Sequence, residues 1–112
     1  MNAGRGSPDR SVSSPDARRI PGGPWSPEEA ASALRAEGLE PTTWGNGPST
    51  EYGWHRHPLP KVLFCVRGSI VFHTRHGELA LGVGDRLELA VGVEHAATVG
   101  PDGVECVEAY RS

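Results

Sequence analysis

From Trp54 to Tyr110 the chain consists of short apolar runs punctuated by Gly, Pro and Asp. The run "KVLFCV" (61–66) is apolar at nearly every position, which predicts a strand covered on both faces. "GSIVFHT" (68–74) is a second strand, and "RHGE" (75–78) reads as a hairpin turn centred near His76-Gly77. "LALGVGD" is a strand running into a Gly-Asp turn. In "RLELAVG", Leu87, Leu89 and Val91 fall on one side and Arg86, Glu88 and Ala90 on the other. "HAATVG" and "GVECVEAY" are two further strands split by the turn "GPDG". At least six short strands at regular spacing predict an all-β barrel or sandwich.

One helix precedes the strands. In "PWSPEEAASALRAEGLEP" Ser26 is an N-cap, Pro27 fits the first helical position and Glu29 completes a capping box. Gly38 takes the left-handed position after the helix and brings Leu39 against Leu34. The spacing therefore predicts a helix over 27–37, apolar mainly through alanine. "PTTWGNGPSTEYG" (41–53) is dense in turn formers and reads as a loop. The first 20 or so residues, rich in Ser, Gly, Pro, Asp and Arg, offer little to bury and read as disordered. The expected organisation is a disordered tail over 1–22, a helix and loop over 23–43, and a barrel over 44–112.

Composition narrows the function classes. A net charge of −3 gives no electrostatic case for nucleic acid or an anionic membrane surface. No apolar run approaches the ~20 residues of a membrane span, and the N-terminus has no apolar core of a secretory signal. A cytoplasmic location is the expectation, with Cys65 and Cys106 as buried thiols. One barrel covers only the inner face of "VLFCV", so a homodimer is expected to cover the outer one unless the short helix does.

The candidate chemistry lies in "GWHRHPLPKVLFCVRG" (53–68). On a strand, His55 and His57 share a face, and His95 from a later strand joins them if the sheet curls. Three imidazoles suit a divalent Fe, Ni, Zn, Cu or Mn ion and leave positions open for water or substrate. His73 and His76 flank a hairpin turn and read as surface residues. Trp44 and Trp54 either line a pocket mouth or cover an apolar face.

These residues resemble the two motifs of the cupin superfamily. The first is H-x-H, three or four residues, E, six residues, G. It is matched by His55-Arg56-His57, three residues, Lys61 in place of Glu, six residues and Gly68. The second is matched by Gly84, five residues, Ala90-Val91-Gly92, two residues and His95, with Ala90 where Pro is usual and Val99 where Asn is usual. The 15 residues between Gly68 and Gly84 suit a compact single-domain member. The resemblance implies a double-stranded β-helix, or jelly roll, with metal on His55, His57 and His95. It implies a small-molecule ligand or substrate, and no one chemistry.

Lys61 is the departure. It is the one lysine among the 11 Lys and Arg residues. An ammonium beside a dication is disfavoured by like-charge repulsion. Lys61 therefore loses its proton, turns to a carboxylate such as Glu51 or Glu108, anchors an anionic ligand in a pocket without tightly held metal, or lies on a solvated rim. A three-histidine site without the carboxylate also resembles thiol dioxygenases of the cupin fold. The resemblance thus implies a metal-binding protein with catalysis left open: a metal-dependent oxidoreductase or isomerase acting on a small anion, with Lys61 as the candidate catalytic group, is one expectation. A non-catalytic sensor using the same pocket is the alternative.

Overall fold

The computed structural model describes residue 14 and residues 16–112. Among these, seven strands and one helix follow in the order β1 (Ala17–Ile20), α1 (Pro27–Ala36), β2 (Thr42–Asn46), β3 (Glu51–His55), β4 (Lys61–Thr74), β5 (Gly77–Gly82), β6 (Arg86–Leu89) and β7 (His95–Tyr110). All pairings are antiparallel. The strand order is β1-β6-β4-β7-β2, with β3 also on β7 and β5 also on β4.

Two long strands make the barrel. β4 pairs with β6 through Lys61–Phe64 and with β5 through Ser69–Thr74. β7 pairs with β3 near His95 and with β2 over Val104–Glu108. Each long strand therefore serves both sides of a jelly roll. The expected breaks at Gly68 and at "GPDG" are bends inside continuous strands, because register shifts on either side of Gly68 absorb the turn residues. Gly68 has φ 72°, and a Cβ there would stand 1.9 Å from the Gly103 carbonyl oxygen, so only glycine fits.

Period-two alternation sorts the buried residues. Leu63 and Cys65 point into the barrel with Ile70, Phe72 and Leu87. Val62, Phe64 and Val66 point outward, where Val107 and Ala109 join them under Ala30 and Leu34 of α1. The helix thus covers the outer face of "VLFCV", which removes the sequence argument for a second subunit there. Its caps are those expected. The Ser26 hydroxyl accepts from the Glu29 amide at 3.2 Å, Gly38 has φ 80°, and the Leu39 amide donates to the Leu34 carbonyl at 3.0 Å. Glu37, at the helix end, accepts from Arg86 at 2.7 Å and from Arg111 at 2.9 Å, tying α1 to β6 and to the chain after β7.

Three expectations are corrected. The tail expected to be disordered to residue 22 contains β1, paired with β6 from Ala17↔Leu89 to Ile20↔Arg86. Backbone pairing needs few apolar side chains, so "ARRI" gave little signal; residues 1–13 and 15 lie outside the described residues. The expected loop over 41–53 holds β2 and most of β3, edge strands whose side chains are mostly exposed and so lack apolar alternation. Val91 does not continue the inward row of Leu87 and Leu89, because β6 ends at Leu89 and Val91 is exposed. Among the described residues, no helix is long and apolar enough to cross a membrane.

Candidate metal centre

His55 ends β3 and His95 begins β7, and the two are partners in the β3–β7 register. His57 lies beyond the end of β3 rather than on it, held by the Gly92 amide donating to its carbonyl at 3.0 Å. One ring nitrogen from each of the three histidines falls within 4.8 Å of the others. Ring centroids are 4.8 Å apart for His55–His57, 4.3 Å for His55–His95 and 5.1 Å for His57–His95.

Backbone carbonyls set the tautomers. His55 Nδ1 is 2.7 Å from the Gly53 oxygen, and His95 Nδ1 is 3.0 Å from the Val93 oxygen. A carbonyl only accepts, so each Nδ1 carries the proton and each Nε2 keeps its lone pair. His57 Nδ1 lies 3.3 Å from the Tyr110 hydroxyl. The Nε2 atoms of His57 and His95 are buried with no hydrogen-bond partner. A buried acceptor left in that state costs roughly 1–3 kcal/mol, which coordination to a cation removes. The donor set therefore fits a divalent ion such as Fe, Ni, Zn or Mn.

Burial favours the neutral form of His57 and His95. Burial, with the nearby His55, Lys61 and His57 charges, pulls His95 down to about 4 from the usual histidine value. Burial first, then Lys61 and His55, also lowers His57. A neutral imidazole is the ligating form.

The histidines open on a cavity of about 330 Å³ whose walls include Trp44, Tyr52, Phe72, Lys61, Glu108 and Tyr110. Lys61 lies within this wall and not on a solvated rim, since its side chain is 9% exposed. Its Nζ stands 3.2 Å from Glu108 Oε1, and the Trp44 indole donates to the same oxygen at 2.8 Å. Nζ also sits 5.4 Å from the centre of the Tyr110 ring. Of the outcomes open to Lys61, the structure shows pairing with a carboxylate, Glu108.

Glu108 and Tyr110 were not recognised as cavity residues. Their signal lies in "GVECVEAY", where Cys106, Glu108 and Tyr110 share the inward parity, and a glutamate on an inward row is unusual. Trp44 lines the cavity, whereas Trp54 is exposed and carries the Arg75 guanidinium 3.7 Å from its ring centre. His76 is exposed as expected. His73 is half-buried, with Nδ1 2.9 Å from Glu78 and Nε2 2.9 Å from the Thr98 hydroxyl, and so is not the plain surface residue expected.

No protein-family model matches the chain, and no curated protein matches it. Solved structures do. A structure of the DMSP lyases RdDddP and RnDddQII matches with TM-score 0.62 and 29% identity, over 66% of this chain and 38% of that one. A cupin domain from Bordetella pertussis Tohama I matches with TM-score 0.53 and 26% identity, over 66% of this chain and 82% of that one. A DUF861 family protein from Thermotoga maritima matches with TM-score 0.61 over 86% of this chain and 100% of that one. Its 13% identity speaks for the fold alone. The match spans less than two fifths of the DMSP lyase chain.

Proposed function

The chain belongs to the cupin superfamily, and from that premise we propose that it is a metal-dependent enzyme acting on a small molecule with an anionic group. The observation that carries the reading is the convergence of three histidine nitrogens, two of them buried and unpartnered, on one cavity. His55, His57 and His95 would hold the ion through Nε2, with the Gly53 and Val93 carbonyls fixing two of the rings. A bound dication with three neutral ligands keeps its full charge and supplies a Lewis acid with open positions.

The chain's own residues favour an anion beside it. Glu108 neutralises Lys61, so neither adds net charge to the cavity. Trp44, Tyr52 and Phe72 give the remaining walls an apolar surface that suits a small, partly apolar body. The Tyr110 hydroxyl, beside His57 Nδ1, is placed to accept from that ring and to donate to a bound group. The similarity to DMSP lyases, one of which shares 29% identity with this chain, supports catalysis, with substrate and reaction belonging to those longer proteins.

A second reading, binding without turnover, draws on the Lys61–Glu108 pair. The two groups best suited to move a proton are engaged with each other. Elemental analysis of untagged protein tests the common ground. About one ion per chain is expected, and His95→Ala should lose most of it. Protein that holds no metal under any loading condition overturns the metal reading. Metal-loaded protein that binds small carboxylates without converting any of them favours the second reading.

A further inference from the structure

The two cysteines form a site that the metal reading does not use. Cys65 of β4 and Cys106 of β7 are directly opposed in the register, and both are fully buried and unbridged. The Cys65 amide donates to the Asp85 carbonyl at 3.0 Å, and the Cys65 carbonyl accepts from the Gly84 amide at 3.0 Å. In an antiparallel ladder both backbone groups of a residue point to the same side. Those of Cys65 point away from β7, so Cys65–Cys106 is a non-hydrogen-bonded pair. Opposed residues of that kind have Cα atoms about 4.5 Å apart, within the span of about 4.4–6.8 Å that a disulfide bridges. Both side chains belong to the same buried cluster inside the barrel.

We propose that Cys65 and Cys106 are an oxidisable dithiol that a small peroxide converts to an intramolecular cross-strand disulfide. The balance closes with hydrogen peroxide as oxidant. The sulfur of one cysteine attacks a peroxide oxygen, the O–O bond breaks, and a sulfenic acid and one water result. The second sulfur attacks the sulfenic sulfur, the S–S bond forms, and a second water leaves with the two thiol protons and the second oxygen accounted for. Two electrons pass from the two sulfurs to the peroxide.

Cys65 is the sulfur suited to attack first. Its thiol donates to the carbonyls of Arg67 at 3.7 Å and Gly68 at 3.6 Å. The neighbouring Cys106 is the main cause that holds the Cys65 pKa below the usual thiol value, and the neighbouring Cys65, with burial, raises that of Cys106. The surroundings select the oxidant. Both thiols lie in the apolar barrel interior with Ile70 and Phe72, which also line the cavity. A small neutral peroxide enters such a space, whereas a bulky charged disulfide does not.

Peptide mapping tests the proposal on the full chain. Reduced protein is exposed to hydrogen peroxide at neutral pH, remaining thiols are alkylated under denaturing conditions, and tryptic peptides are analysed without reduction. Cleavage after Lys61, Arg67, Arg86 and Arg111 places the cysteines in the 62–67 and 87–111 peptides. The expected product is these two peptides joined, lighter by two hydrogen atoms than their sum, from a chain that stays single on a non-reducing gel. Cys106→Ser should abolish the linked species and leave Cys65 as a trapped sulfenic acid. Recovery of both cysteines in alkylated form after peroxide overturns the proposal, as does linkage found only between two chains.

Discussion

Lys61→Met tests whether the Lys61–Glu108 pair is a structural unit of the cavity wall. The substitution keeps the length and apolar bulk of the stem and removes the charge. Glu108, whose side chain is 13% exposed, then retains one donor, the Trp44 indole. Removing one partner of a fully buried ion pair costs about 3–5 kcal/mol. This pair borders a solvent-reachable cavity, so the expected loss lies at or below the lower end, about 2–3 kcal/mol. Glu108→Gln strands the ammonium instead and should cost a similar amount. The double variant Lys61→Met/Glu108→Gln leaves neither charge unpaired. Its loss should fall short of the sum of the single losses by about 1–3 kcal/mol, the coupling expected of neighbours in one network. Urea unfolding of the four metal-free proteins, at constant m-value, measures the cycle. Single losses that add to the double within about 0.5 kcal/mol would mean that the two charges do not sense each other, and the pairing argument would fail.

In the metal-loaded protein, Lys61→Glu removes a like charge and supplies the carboxylate that the resemblance expects; a chelator competition should show affinity raised more than about tenfold, and an unchanged affinity would place side chain 61 outside the reach of the metal. Gly68→Ala should destabilise the fold by about 3 kcal/mol or more in urea, since it combines a left-handed backbone with a clash against Gly103; a loss under about 1 kcal/mol would show that the β4 bend tolerates a side chain. Arg86, and after it Arg111, hold the Glu37 carboxyl below the usual carboxylate range. The sign follows: the stability Glu37 contributes is full above the unfolded carboxylate value of about 4.3 and is lost as the pH falls through its lower folded value. Thermal melts should therefore show wild type above Glu37→Gln at pH 7 and the gap closing in acid; a gap that persists in acid would contradict the ionic origin of that contact.

The histidine triad was legible because its three members have few other reasons to recur at that spacing, and the flanking glycines mark bends that only glycine makes. The helix was legible down to its caps, since Ser26, Glu29 and Gly38 act through local geometry. β1 and β2 were not. They are edge strands held by backbone bonds, and their side chains carry no apolar period. The fate of Lys61 was legible only as a set of options. Its partner lies 47 positions away, and a linear pattern does not say which of two carboxylates a strand register will bring within 3.2 Å.

The register of β4 against β7 also bears on the order in which the molecule assembles. Thr74 meets His95, and Lys61 meets Tyr110, so the central ladder forms only after long segments of backbone have been brought round on themselves. Such high contact order makes for slow folding, on the scale of about milliseconds to seconds. His55 and His57 are neighbours in any conformation, including that of a chain still emerging from the ribosome, whereas His95 joins them only when β3 docks on β7. On the proposed metal reading, an ion present early would meet only a weak two-imidazole chelate, and all three ligands would come together only in the finished barrel. Affinity for the completed triad would then act as a ratchet on the last step of folding, drawing the population further toward the closed form as the free metal concentration rises.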